Sequence, residues 1–225
     1  MTQQRKGKKF LIYFFLLILL GSLNNISINN TKLESVKNIN VTGLINLEKE
    51  IFLKNILDLN LKNIFFLNKK EIIKLIEENP LIESYIVFKK YPSTLNVKIK
   101  RTNFLAKINK DGEIYIVGSN GKLSDINFST EELPYIFGKP EIKDFLIFKK
   151  ILDQSKISYS QIKNLYFYPS KRWDIELKNN IILKLSRDNI KDSLENALKV
   201  LNDKGFKDLN TIDVRVQDKI IINGW

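Results

Sequence analysis

Neither cysteine nor histidine occurs anywhere in this chain of 225 residues. Without thiols there is no disulfide framework and no thiolate zinc site. Without imidazole there is no Ser-His or Cys-His nucleophile pair and no histidine proton shuttle. A chain with nothing to mispair also suits an oxidising compartment. Internal repeats are absent, and the compositional bias is confined to Lys, Asn and Ile.

Hydrophobic residues make up 44% of the chain, enough to bury cores in one large domain or two small ones. The formal net charge of +12 comes from 37 basic and 25 acidic residues, which would suit nucleic acid, an acidic membrane surface or an acidic protein. Most of the lysines are interspersed with carboxylates, as in EIIKLIEEN and IKDSLENALKVLNDK, the pattern of solvated helix faces. A nucleic-acid surface would cluster its basic residues with aromatics between them, so no nucleic-acid partner is expected.

The first nine residues carry Arg5, Lys6, Lys8 and Lys9 with no acid, and FLIYFFLLILL from Phe10 to Leu20 follows. Extended toward Ile28, this run reaches a membrane-spanning length, and GSLNNIS offers no small-x-small cleavage site. The reading is a basic cytoplasmic tail over 1–9 and an uncleaved transmembrane anchor over 10–28. The basic flank stays inside, so the rest of the chain lies outside the cytoplasm.

Beyond a polar linker, VKNINVTG reads as a short strand ended by Gly43. LEKEIFLKNILDL reads as a helix with Ile51, Phe52, Ile56 and Leu59 on its apolar side. A second helix is predicted after Asn68 as N-cap, with Glu71 in a capping box, a stripe of Ile72, Ile73, Leu75 and Ile76, and Pro80 as its stop. Strands Ile82 to Lys89 and Thr94 to Arg101 follow, completing a small α+β domain over 36–103. From Phe104 onward strands dominate. Asp111-Gly112 and Asn120-Gly121 flank the strand Glu113 to Val117, and Ile142 to Ser155 reads as a helix burying Ile142, Phe145, Leu146, Phe148 and Ile151. NLYFYPS, RWDIELKN and NIILKLSR are further strands. Asp188 is predicted to cap a helix that ends at Gly205. The fold class is therefore α+β: one N-terminal helix, a small β-α-α-β-β domain, and a mixed β-sheet domain over 104–225 with two flanking helices. In the closing TIDVRVQDKIIINGW, Ile212, Val214 and Val216 alternate with polar residues as in a half-buried strand, and Ile220 to Ile222 reads as a second. A strand at the end of a chain tends to be a sheet edge, which recruits other strands unless it is covered.

No catalytic residue, metal site or cofactor site is expected. Ser119-x-x-Lys122 and Ser160-x-x-Lys163 fit the nucleophile motif of penicillin-binding enzymes, but no Lys-Thr-Gly accompanies them. Glu77-Glu78 and Glu131-Glu132 are adjacent surface pairs rather than a pocketed acid-base couple. Trp173 reads as a core or interface aromatic.

Taken in order, VKNINVTG, FKKYPSTLNVKIKRTNFLAKI, the Asp111-Gly112 turn, LPYIFG from Leu133 to Gly138 and the ending IDVRVQDKIIINGW resemble the FtsQ/DivIB family of bacterial cell-division proteins across the whole chain. Tyr91 stands where that family has Trp, and Val216 where it has Tyr. The resemblance implies that the small domain is a POTRA domain, that the protein is not an enzyme, and that it is a divisome scaffold in the inner membrane at the septum. It further implies that the last strand is extended by a strand from an FtsB-like partner. Carried over by position, the edge is Lys219, Ile220, Ile221, Ile222 and Asn223, with Trp225 at its end. Arg172 and Arg215 are its charge partners. Other FtsL-like and membrane-proximal division proteins would meet the POTRA domain, and no small-molecule substrate is implied. Alternatives are a POTRA-bearing assembly or transport accessory and a periplasmic cell-wall enzyme.

Overall fold

A computed structural model describes residues 3–23, 35–59, 61, 64–65, 67–128, 132–203, 205, 209–217 and 219–224. The N-terminal helix, α1, is Gln3–Leu23. It begins inside the basic segment read as a tail, because Gln, Arg and Lys are good helix formers and outweigh the single unfavourable Gly7 among them. Among the described residues no helix is long and apolar enough to cross a membrane, which corrects the expected transmembrane segment over 10–28. Its uninterrupted apolar run, Phe10 to Leu20, rises only about 16 Å against a hydrocarbon core of about 30 Å. Residues 24–28 lie outside the described residues.

The small domain follows, with β1 (Asn38–Thr42), α2 (Asn46–Leu57), α3 (Lys69–Glu78), β2 (Ile82–Lys90) and β3 (Thr94–Arg101). The sheet order is β1-β3-β2, with β1 parallel and β2 antiparallel to the central β3. Alternation along β3 sends Leu95, Val97 and Ile99 inward against Phe52 and Ile56 of α2 and Ile72 and Ile76 of α3. Asn68 caps α3 by accepting from Lys70 N–H at 3.1 Å, as its sequence position predicts. Ile51, expected in the core, is 45% exposed, and its neighbour Glu48 is buried instead. The cause is Arg101, whose guanidinium holds the Glu48 carboxylate with Nε at 3.0 Å from both oxygens and Nη2 at 2.8 Å from Oε1.

The remainder forms one nine-stranded sheet from β4 (Phe104–Lys110), β5 (Glu113–Gly118), β6 (Leu123–Asp125), β7 (Tyr135–Phe137), β8 (Ile162–Phe167), β9 (Trp173–Leu177), β10 (Ile182–Lys184), β11 (Leu209–Asp213) and β12 (Ile221–Gly224). Its order is β12-β11-β10-β9-β8-β7-β4-β5-β6. Helices α4 (Ile142–Gln154) and α5 (Ile190–Leu201) are the crossovers joining the parallel neighbours β7 to β8 and β10 to β11. Strands β7 and β10 run in the same direction, and both crossovers step the same way along the sheet. Right-handed crossover therefore puts both helices on one face. There Phe145, Phe148, Leu152, Leu194 and Ala197 pack on Ile136, Leu165, Ile175, Leu183 and Ile212. Trp173 lies in this core, its ring stacked on Phe148 at 4.6 Å. Leu152, missed in the sequence, takes a core position, whereas Ile142, Leu146 and Ile151 are only half-buried.

Two helix-end expectations are corrected. The residue preceding α5 is Asn189, with no side-chain cap bond, while Asp188 pairs with Arg187 at 3.5 Å. The helix stops at Leu201 with Asn202 as C-cap, so Gly205 lies beyond it and its N–H donates to Asp203 at 2.8 Å.

The two sheets meet through a hydrogen-bonded junction. Asn120 Nδ2 donates to the carbonyls of Pro80 and Ile82, each at 2.9 Å, and Glu83 accepts from the hydroxyls of Thr102 at 3.2 Å and Ser119 at 2.7 Å. Leu81, Phe104 and Ile116 form a small core beneath.

Candidate partner-binding site

β12 is the terminal strand of the nine-stranded sheet. It pairs antiparallel with β11 through Asp213↔Ile221, Ile212↔Ile222 and Thr211↔Asn223, and its other side faces no described strand. Period two divides its residues. Ile222 turns toward the helix-covered face and packs on the core, while Ile221 is 54% exposed on the opposite face and Asn223 is exposed beside it. Lys219 and Ile220 precede the strand and are exposed, so the predicted edge Lys219 to Asn223 is part lead-in and part ladder. Trp225 lies outside the described residues. The inward strand ends at Asp213 rather than Val216, with Val214 N–H still donating to Lys184 O at 3.0 Å.

The two arginines expected as charge partners are already occupied. Arg215 forks onto Asp213, Nε at 2.8 Å from Oδ1 and Nη2 at 2.6 Å from Oδ2. Arg172 holds Asp174 at 3.1 and 3.3 Å while lying 4.1 Å over the Tyr168 ring. Register brings Asp174, Lys184, Asp213 and Ile221 into one row across four strands, so the arginines flank a row of alternating charge leading to the edge. Burial pushes the Asp213 carboxyl up, but hydrogen bonds from Arg215 outweigh this and hold it below the usual carboxylate range. At Asp174, almost fully buried, desolvation wins over Arg172 and the carboxyl sits above its ordinary value. These ion pairs were legible in the sequence: RWD and DVR each place the two charges two residues apart, hence on one face of a strand. A guanidinium has five N–H donors, so each arginine keeps donors for a partner carboxylate while its own aspartate fixes its direction.

An open cleft of about 610 Å³ adjoins the edge, lined by Asp188, Asp192 and Ser193 at the start of α5 and by Arg215, Lys219 and Ile220. Farther across the uncovered face, Tyr135, Phe137 and Tyr166 form an aromatic stripe, with Phe137 stacked on Tyr166 at 5.0 Å. Beside it Glu176 accepts from Asn164 at 2.8 Å, Tyr166 at 2.6 Å and Lys163 at 2.9 Å. Burial alone would raise the Glu176 carboxyl, and these three donors bring it down to about 2. Desolvation, then the bond to Glu176, pushes the Tyr166 hydroxyl up to about 12. A depressed folded pKa stabilises the fold above the ordinary value of 4.5, and that contribution is lost as pH falls from 4.5 toward 2. Glu176→Gln should therefore cost about 1 kcal/mol at pH 7, after allowance for the half-exposed Lys163, and flatten the stability loss across that acid range in urea titrations.

The Ser-x-x-Lys motifs hold no nucleophile geometry. Ser119 is bonded to Glu83 and Thr102, and Lys122 donates to the carbonyls of Glu77 and Asn79. Ser160 is paired with Ser158, and Lys163 with Glu176 and Asn180. Each serine and lysine has a separate structural partner.

Comparison with known proteins places this arrangement. The model described as "Cell division protein FtsQ/DivIB, C-terminal" matches residues 101–215, and "POTRA domain, FtsQ-type" matches residues 34–100. The chain belongs to the FtsQ/DivIB family. Cell division protein FtsQ of Bradyrhizobium diazoefficiens is 25% identical over 158 residues, covering 65% of this chain and 44% of that protein. FtsQ of Haemophilus influenzae is 25% identical over 123 residues, with 53% and 48% covered, so the chain spans about half the length of these two relatives. Cell division protein DivIB of Bacillus subtilis is 26% identical over 189 residues, 78% of this chain and 68% of that one. The extracytoplasmic domain of DivIB from Geobacillus stearothermophilus aligns at 13% identity and a TM-score of 0.33, covering 47% of this chain and 98% of that chain. The FtsQ/DivIB match ends at Arg215, so β12 lies beyond it. The β1-α2-α3-β2-β3 unit thus corresponds to the FtsQ-type POTRA match, and the nine-stranded sheet to the FtsQ/DivIB C-terminal match as far as Arg215.

Proposed function

We propose that this protein is a divisome scaffold that binds an FtsB-like division protein by strand addition to β12. The observation that carries the reading is the outer side of β12, which pairs with no strand among the described residues and presents exposed Ile221 and Asn223 at the end of a nine-stranded sheet. Backbone hydrogen bonds provide affinity in this mode, and Arg172 and Arg215, aimed by their own aspartates, favour acidic residues on the added strand. FtsL-like and other membrane-proximal division proteins would meet the POTRA region, which occupies 36–103, ahead of the sheet domain over 104–225. No catalytic step is part of this role.

In the same reading α1 holds the chain at the bacterial inner membrane. Its residues Phe10 to Leu20 are each about half exposed or more, and eleven consecutive apolar residues surround the helix rather than striping one side. A helix apolar all round has no polar side to keep in water, so it seats in lipid, although its apolar run is too short to cross it. Confinement to a surface raises effective concentration, so several weak contacts suffice to assemble a complex. A fluorescent protein fused before Met1 should give a mid-cell band in dividing cells; a uniform cell outline would overturn the divisome reading.

A further inference from the structure

The chain enters the small domain at the turn between β2 and β3. Lys37 and Asn38 N–H both donate to Ser93 O, at 2.9 and 3.3 Å. At this end Tyr91 is 57% exposed, with its ring 4.7 Å from that of Phe65, which is 51% exposed, and Lys89 Nζ donates to Phe65 O at 3.2 Å. Behind them, on the face of β2 turned away from the helices, Ile86 is 64% and Phe88 37% exposed, with Lys98 Nζ 5.6 Å from the Phe88 ring. The described residues that meet here, 36–42, 61, 64–65, 67–70 and 85–98, include six lysines and not one Asp or Glu, in a chain that has 25 acidic residues. Most other lysines alternate with carboxylates, apart from the basic N-terminal segment and residues 99–110, which also lack acids. The eleven residues 24–34 join α1 to the domain and reach at most about 40 Å when fully extended.

We propose that this end of the small domain rests on an anionic lipid surface, with Tyr91 and Phe65 at headgroup depth and Lys90 and Lys98 against lipid phosphates. The inference rests on the reading that α1 enters the membrane. A Tyr ring with its hydroxyl settles at the membrane–water interface, an exposed Phe beside it adds apolar area there, and lysines such as Lys90 and Lys98 are drawn to anionic headgroups within a Debye length. A short tether keeps it there at high effective concentration. The exposed aromatics Tyr91 and Phe65 lie at the turn, beyond the β2 ladder, which suits a flat surface at the tip better than a strand laid along β2. Docking the tip would fix the height of the POTRA region, and through the Glu83 and Asn120 junction the height of β12, above the membrane.

The test reconstitutes the full chain into vesicles containing brominated lipid and reads quenching of a Trp placed at position 91 by Tyr91→Trp, against the wild-type background of Trp173 and Trp225. Position 13, by Tyr13→Trp, reports α1. In vesicles with about one-third phosphatidylglycerol, quenching of about two-fold is expected at both positions, and in pure phosphatidylcholine only at position 13. Adding Lys90→Glu and Lys98→Glu should remove quenching at 91 and keep it at 13. Quenching at 13 without quenching at 91 in the anionic vesicles overturns the tip contact, keeps the α1 reading and points to a protein strand on β2. Quenching at 91 alone supports the tip contact and overturns the α1 reading. Absence at both overturns both, and quenching at 91 that ignores lipid charge and the Glu substitutions overturns the electrostatic recognition.

Discussion

Gly43→Ala is expected to cost about 4 kcal/mol and to leave the POTRA region largely unfolded near physiological temperature, whereas Gly112→Ala costs about 1. Both glycines have positive φ, +99° at Gly43 and +93° at Gly112, so the conformational penalty of adding a Cβ is shared. The difference is what the Cβ meets. At Gly43 it would fall 1.7 Å from the carbonyl oxygen of Ile99 on the central strand β3, and a backbone atom in a paired sheet has nowhere to move. At Gly112, on the tip of the β4–β5 hairpin, nothing lies within 4 Å. Urea unfolding of the two variants measures the contrast. Equal costs would mean that the close approach of β1's end to β3 is not why position 43 is glycine.

The sequence marked element types well where chemistry is local. Asn68 as a cap, the Asp111-Gly112 turn and the period-two strands follow from what those side chains and backbones permit, and each is present: Asn68 accepts from Lys70, and Asp111 takes a positive φ of 56°. Non-local pairings were out of reach. Glu48 sits on a helix pattern as a surface charge, and only the fold brings Arg101, fifty-three residues away, to bury it. The same holds for Glu83 beneath Ser119 and Asn120, whose turn chemistry was legible while its role in joining the two sheets was not. At the candidate site the resemblance points Arg172 and Arg215 at a partner, whereas Asp174 and Asp213, each two residues away in sequence, already hold them in the fold. At the N-terminus the apolar run was evident and the helix boundary was not, since lysines and glutamine extend a helix as readily as leucines do.

The central claim is that partner affinity resides in the backbone of β12, and Ile221→Pro tests it most directly. Ile221 is exposed and touches the fold mainly through pairing with Asp213, so the substitution removes a ladder donor and stiffens the edge while deleting no core side chain. Loss of two or three strand hydrogen bonds, with the register they enforce, should weaken binding by about 100-fold or more. Ile221→Ala keeps the backbone and should weaken it by less than about five-fold. Because β12 is a peripheral four-residue strand, the thermal midpoint should move by no more than about 4 °C in either variant. The measurement is calorimetric titration of the detergent-solubilised full chain, wild type, Ile221→Pro and Ile221→Ala, with the extended segment of the FtsB-like partner. A large loss confined to the proline variant is the predicted result. Binding by Ile221→Pro within about two-fold of wild type, or an equal loss in Ile221→Ala, would contradict strand addition at this edge.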